Sequence, residues 1–168
     1  MPKEVFYKIS DAKRDKLVLS AVKAFTIDGY DDLTVSKLTE DMNILRTDFY
    51  YYFKDKEDVM SVVKESFYKL VELNGNPSNV NDAIISLFSN ISSKNKQKTK
   101  QFYIDLASNY SPLSVNTFSG LLKEKYGSGE ESLLEDLKIN AKLRLLSELV
   151  IRYFGKEIDR DTALELLK

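Results

Sequence analysis

The 168-residue chain contains neither cysteine nor histidine. The first absence excludes disulfides, thiolate metal sites and cysteine nucleophiles. The second removes the commonest general base, the commonest metal ligand and any Ser-His-Asp arrangement. No helix carries paired carboxylates in a metal pattern such as Glu-x-x-His, and no nucleophile has a recognisable base beside it. An enzyme is therefore not expected, and neither is a cofactor or a resident metal. Neither sign of charge dominates, with 25 Lys and Arg against 26 Asp and Glu, so no global field draws the chain to nucleic acid or to a membrane. No stretch nears eighteen uninterrupted apolar residues, and a spanning helix is not expected. The opening MPKEVFYKISDAKRDK is charged throughout and does not read as a signal peptide, which makes a cytoplasmic address the expectation. What remains is 43% hydrophobic and 30% charged. That is the balance of a folded globular protein, long enough to bury about 70% of the surface its unfolded form exposes.

Glycine and proline are also scarce, at six and three residues, and they fall between periodic segments. That pattern predicts helices joined by short turns, an all-α chain. A first helix is expected from about Ser10 to Asp28, with Leu17, Ala21, Ala24 and Phe25 at helical spacing and Gly29 as its stop. Thr34 is a good N-cap for a short helix to about Asp41, and Asn43 suits a left-handed turn after it. A third helix covers Arg46 to Tyr52. Asp55 caps a fourth, on which Val59, Val62, Val63, Phe67 and Leu70 share a face, ending near Asn74-Gly75-Asn76-Pro77. Beyond that boundary Val80, Ala83, Ile84, Leu87, Phe88 and Ile91 form an unbroken stripe. Phe102, Tyr103, Leu106 and Tyr110 mark a further helix closed by Pro112. Val115, Phe118, Leu121 and Leu122 mark another, stopped by Gly127-Ser128-Gly129. A long helix follows from about Glu130 to Phe154, and a short one starts near Asp159.

Two short helices joined by a tight turn and braced by a longer one make a helix-turn-helix unit. Here the turn is Met42-Asn43-Ile44, with Leu38, Phe49 and Phe53 facing inward. Any three-helix bundle shares that periodicity, but the residues go further. Ala24-Phe25, Gly29-Tyr30, Leu33-Thr34-Val35, Leu38, Ile44 and Tyr50-Tyr51-Tyr52-Phe53-Lys54-Asp55-Lys56-Glu57 occur in order at particular spacings. Over about residues 10 to 60 this resembles the DNA-binding domain of the TetR family of bacterial transcriptional regulators. The resemblance implies a helix-turn-helix domain over residues 1–56, a helical effector-binding and dimerisation domain over 57–168, and double-stranded operator DNA as partner. Beyond residue 75 it is architectural only.

Residues early in a recognition helix reach base edges in the major groove, which makes Arg46, Thr47 and Asp48 the candidates for readout. Tyr50 and Tyr51 present hydroxyls on stiff rings, and the resemblance implies a backbone-contacting Tyr at position 50; core packing is the alternative for both. Lys56, in the first turn of helix four, is expected to hold a phosphate together with the neighbouring N–H groups. Thr34 either does the same from helix two or only caps it. Lys37 and Lys54 are candidate backbone contacts or merely solvated. Several positions depart from the family pattern. Leu45 stands where a Ser-like cap is usual, Asn43 and Thr47 where Gly is common, and Tyr52 where His is frequent. Asp48 adds a negative charge to the face that should meet phosphates. Ten basic and ten acidic residues balance over positions 1–56, so a basic face is required of this lobe without being evident in its composition.

In the second lobe Phe88, Phe102, Tyr103, Tyr110 and Phe118 are either core or the lining of a pocket for a small apolar effector. The lack of His and Cys argues against a soft metal effector. The long helix carries two apolar stripes, Leu134-Leu137-Ala141-Leu145-Leu149 and Ile139-Leu143-Leu146-Val150-Tyr153, which a single layer cannot cover. Either the helix is buried centrally in the lobe or one stripe meets a partner subunit. The second stripe, completed by Ala163, Leu164 and Leu167, is the candidate interface of a homodimer, with the choice between the stripes left open. A two-fold would place two recognition helices about 34–36 Å apart, or a multiple of that, on a near-palindromic operator. The expected function is a sequence-specific DNA-binding regulator, a repressor by the family's commoner role, with operator affinity set by an effector. The alternative is a TetR-like adaptor acting through protein–protein contacts.

Overall fold

A computed structural model of the chain describes residues 1–73, 75–93, 112–129 and 132–168, the side chains of 112–117 excepted. Among the described residues all regular secondary structure is helical: α1 Glu4–Lys8, α2 Asp11–Asp32, α3 Val35–Asp41, α4 Arg46–Tyr52, α5 Lys56–Val71, α6 Val80–Ile91, α7 Pro112–Tyr126, α8 Leu133–Phe154 and α9 Arg160–Leu167. The expected all-α class is the one observed. Two compact units divide at Tyr68 and Lys69. That point lies inside α5, not at its start, where the sequence places the boundary. The first turns of α5 are bound into the first unit: Lys56 and Glu57 bond to the end of α2, and Asp58 accepts from the Lys54 N–H at 2.9 Å.

The predicted signals set most of the boundaries in the first unit. The Ser10 hydroxyl accepts from the Lys13 N–H to start α2. At Gly29 the backbone turns to φ 75° and ψ 167°, left-handed territory that costs a glycine little. The helix proper therefore ends at Asp28, and Tyr30–Asp32 form a separate turn. The Thr34 hydroxyl accepts from the Lys37 N–H at 3.2 Å, opening α3. At the far end Asn43 N–H bonds to Glu40 O and Ile44 N–H to Thr39 O, both at 3.0 Å. With Asn43 at φ 52°, this is a Schellman motif, and it satisfies two carbonyls the helix would otherwise leave open. Leu17, Ala21, Ala24, Phe25, Leu33, Leu38, Met42, Phe49, Phe53, Val59, Val63 and Phe67 make the core. The sequence reading missed α1, which packs on α4 and buries Phe6 completely.

In the second unit α8 packs on α6, α7 and α9, and α6 also meets α7 and α9. Asn79 caps α6 through the Asp82 N–H at 2.9 Å. The whole α6 stripe is buried as its spacing predicts. Asn90, also buried, donates to Leu70 O at 2.7 Å and Val71 O at 3.2 Å, closing the end of α5. Pro112 opens α7, where its missing N–H costs nothing at the first helical position; the helix expected to end at it lies outside the described residues. Ser132 and Asp159 cap α8 and α9. Lys142 reaches the carbonyls of Leu167 at 3.1 Å and Lys168 at 3.2 Å, holding α9 by its C-terminal end.

The stripe expected at a dimer interface requires correction. Ile139, Leu143, Leu146 and Val150 are buried within the chain, Tyr153 is half-buried, and Ala163 and Leu167 are fully covered. The buried ones are covered by the chain's own helices, and only Tyr153 and Leu164 keep part of their surface exposed. Leu133, Leu134, Leu137 and Ala141 are the exposed ones, while Leu149, from the same stripe as Leu137, is buried. Three neighbouring helices cover the C-terminal part of α8 on both sides and leave its N-terminal part open on one.

Candidate nucleic-acid interface

Helix α4 is seven residues long. Phe49, Tyr52 and Phe53 point into the core, with Phe49 and Phe53 almost wholly covered. Their rings meet at 5.4 Å between centroids. At about 100° per residue, Arg46, Tyr50, Thr47 and Tyr51 then follow one another over an arc of about 140° on the opposite side. All four are exposed, Tyr50 at 41% and Tyr51 at 60%. The two tyrosines are therefore not core residues. The Arg46 guanidinium lies 5.8 Å from the Tyr50 ring centroid, a contact that steadies a long side chain without engaging its N–H donors. Leu45 at the N-cap makes no side-chain cap and is 70% exposed. The departure noted from sequence is thus a helix start without its usual acceptor.

Asp48 lies at the edge of this arc. Its charge is partly answered by Lys13, a residue the sequence reading counted without assigning a role. Lys13 donates to the Tyr52 hydroxyl at 3.0 Å. That hydrogen bond and the electrostatic pull of Tyr52 hold the ammonium above its ordinary pKa, and Asp48 adds to the effect. Spacing in sequence could not reveal this, since Lys13 sits on α2 and faces α4 only once the bundle closes.

The flanking candidates divide. Thr34 is exposed and serves as the cap of α3, so its acceptor role is in use. Lys37 is exposed and bonds to Asp41 at 2.7 Å, one turn on; that bond, against slight desolvation, raises its pKa. Lys54 is exposed just past α4, its backbone N–H held by Asp58. Burial works to raise the Asp58 carboxyl, but hydrogen bonds from the Met1 amino group at 2.5 Å and from Lys54 N–H outweigh it. Its pKa lies below the usual carboxylate range.

Lys56 does not take the place expected of it. Its ammonium donates to the carbonyls of Tyr30 at 2.7 Å, Asp31 at 3.2 Å and Leu33 at 3.3 Å. It also sits 4.5 Å from the Tyr30 ring centroid. Three acceptors use all three donors of an ammonium, so Lys56 ties α5 to the end of α2 and has none left for a phosphate.

Of the expected effector-pocket residues, Phe102, Tyr103 and Tyr110 lie outside the described residues. Phe88 is fully buried against the edge of Tyr153 at 5.9 Å, and Phe118 is buried as well. The second unit carries an open groove of about 590 Å³ lined by Tyr153, Phe154, Lys156, Glu157, Ile158, Asp159 and Thr162. A second, of about 370 Å³, runs from Gly75 to Asn90. Neither is lined by Phe88 or Phe118. Among the described residues no acidic cluster could hold a metal ion, and no helix is long and apolar enough to cross a membrane.

No protein-family model matches the chain, and no curated protein does. Among solved structures, the chain is similar to a Rhodococcus sp. protein assigned to the TetR family of transcriptional regulators, with 15% identity and a TM-score of 0.46 over 94% of this chain and 95% of that one. It is also similar to the fatty acid degradation regulator FadR from Bacillus halodurans, with 18% identity and a TM-score of 0.39 over 95% and 94% of the two chains. Likeness at this level assigns neither a family nor a function, which must come from the residues themselves.

Proposed function

We propose that the protein is a cytoplasmic, sequence-specific DNA-binding regulator of the TetR type that inserts α4 into the major groove. The supporting observation is the split of α4: three aromatic residues anchor it in the core while Arg46, Thr47, Tyr50 and Tyr51 stand outward after the Schellman turn at Asn43. Arg46 near the start of the helix is placed to grip guanine O6 and N7. Tyr50, Tyr51, Lys37 and Lys54 flank it as backbone contacts.

A second copy completes the site, because one short helix reads too few base pairs. The exposed face of α8 is our candidate for the pairing surface. An antiparallel pairing about Leu137 sets the Leu133–Leu134 end of one copy against the Ala141 end of the other, so that apolar groups meet. Control by a small apolar molecule bound in the second unit, with repression as the output, extends the proposal along the family resemblance. By linkage, an effector that lowers DNA affinity binds more weakly when DNA is present.

The test is a selection from random-core 30-bp duplexes followed by titration at several salt concentrations. Arg46→Ala should relax preference at one or two positions, while Lys54→Ala should weaken every duplex alike and lower the salt slope by about one. A second reading, an adaptor working through protein contacts, draws on Asp48 at the interface edge and on the engaged ammonium of Lys56. Binding no tighter to selected than to random duplexes decides for the adaptor.

A further inference from the structure

A seven-residue helix without a side-chain N-cap has little stability of its own, since nucleation is unfavourable and few intrahelical bonds repay it. Tertiary contacts must fix the position of α4. At its C-terminal end the last four carbonyls lack intrahelical partners. Phe49 O accepts from the Phe53 N–H at 2.8 Å. Two of the others go to a single residue outside the helix-turn-helix: Lys3 donates its ammonium to Tyr50 O at 2.5 Å and its backbone N–H to Tyr52 O at 2.9 Å. The cation also sits at the negative end of the helix dipole. Three residues on, Phe6 is fully buried, with its ring centroid 4.9 Å from that of Phe53 and 6.3 Å from that of Tyr52. Lys13 holds the Tyr52 hydroxyl from α2. The end of α4 is thus gripped on its carbonyls, one ring edge and one hydroxyl, while its outward arc stays open.

We infer that α1 is a strap that sets the rotation and tilt of α4, with Lys3 as a positioning residue for base readout. This rests on the DNA-binding function proposed above. Two-bond recognition of a base requires the reading side chain within about 0.5 Å and 10–20° of its productive geometry. A helix end released from the ammonium, with only the backbone bond of Lys3 left, loses that precision before it loses its fold.

The experiment uses the full chain with Lys3→Met and Lys3→Arg, read by amide hydrogen exchange and by binding to the selected and random-core duplexes. Lys3→Met should speed exchange at Tyr50–Phe53 about tenfold, the effect of losing one charge-assisted hydrogen bond, with amides of α8 unchanged. It should also cut the ratio of selected to random affinity about tenfold, and Lys3→Arg should recover most of both. Uniform weakening of all duplexes with α4 exchange unchanged overturns the inference and makes Lys3 a direct phosphate contact. Faster exchange with an unchanged affinity ratio overturns the positioning role. If the unaltered chain prefers no duplex, the DNA-binding function fails and the role in readout with it, while exchange still reports whether Lys3 holds the helix.

Discussion

Replacing Lys56 by methionine separates the two roles that this lysine could have. Methionine keeps the apolar stem and removes the ammonium, so packing along the side chain changes little. What is lost is a cation bonded to three carbonyls, the shortest at 2.7 Å, and its contact with the Tyr30 ring at 4.5 Å. Hydrogen bonds to charged groups contribute about 1.5–3 kcal/mol. A cation at a helix C-terminus adds about 0.3–1 kcal/mol, and a partly exposed cation–π contact about 0.5–1 kcal/mol. Lys56 is only half-buried, and water replaces part of what the ammonium supplied to the Tyr30 and Asp31 carbonyls. A net loss of about 2–3 kcal/mol follows. For a chain of this size each kcal/mol moves the melting temperature about 2–4 °C, so Lys56→Met should melt roughly 4–12 °C lower. Differential scanning calorimetry reads the shift, and duplex titration below the transition should show an unchanged salt slope. An unshifted melting temperature, together with a slope reduced by about 0.9 on every duplex, would refute the structural role and restore Lys56 as a phosphate contact.

Leu45→Ser gives α4 the acceptor it lacks, and should raise stability in urea by about 0.5–2 kcal/mol; an unchanged or lower midpoint would show that the exposed leucine is held by something other than chance. The Asp58 carboxyl has a folded pKa below its unfolded one. Its contribution is therefore complete above the ordinary carboxylate pKa, near 4, and disappears as pH falls through the lower folded value. Urea midpoints measured from pH 6 to pH 3 should drop more steeply for the unaltered chain than for Asp58→Asn, and parallel curves would count against the assignment.

Local signals were legible wherever their partners lie within a few residues. The Thr34 cap, the Gly29 break and the left-handed Asn43 are settled by chemistry inside one turn of chain, and the sequence shows them directly. The outward set on α4 was only partly readable: Phe49 and Phe53 were placed inward, but with five aromatics in a row from Phe49 to Phe53 core packing stayed open for Tyr50 and Tyr51, and their exposure decides it. Helix α1 was not, since five residues with one buried side chain show no period. Lys56 was misplaced for a different reason. Its partners stand 23 to 26 positions earlier, and nothing in the residue string says that the end of α2 returns to the start of α5. The two stripes of α8 were visible, but which one the chain covers depends on where α6, α7 and α9 pack.

The even charge of the first lobe now has a physical meaning that a sum of signs conceals. Several acids of this unit already serve the fold: Asp11 pairs with Arg14, Asp41 with Lys37 and Glu4 with Lys8, while Asp55 and Asp58 cap the entrance to α5. Three cations also bond within the protein, Lys56 through all three donors to the end of α2, Lys3 through one to the end of α4 and Lys13 through one to Tyr52. Arg46 and Lys54 are left exposed on or beside the outward arc. On the function proposed above, a surface with so few uncommitted charges would neutralise few phosphates, and counterion release would add little to affinity. Discrimination must then come from contacts at base edges and from doubling the site in a second copy. Both would depend on how firmly α4 is held, so under that proposal the residues that clamp α4 matter to recognition as well as those on its outward arc.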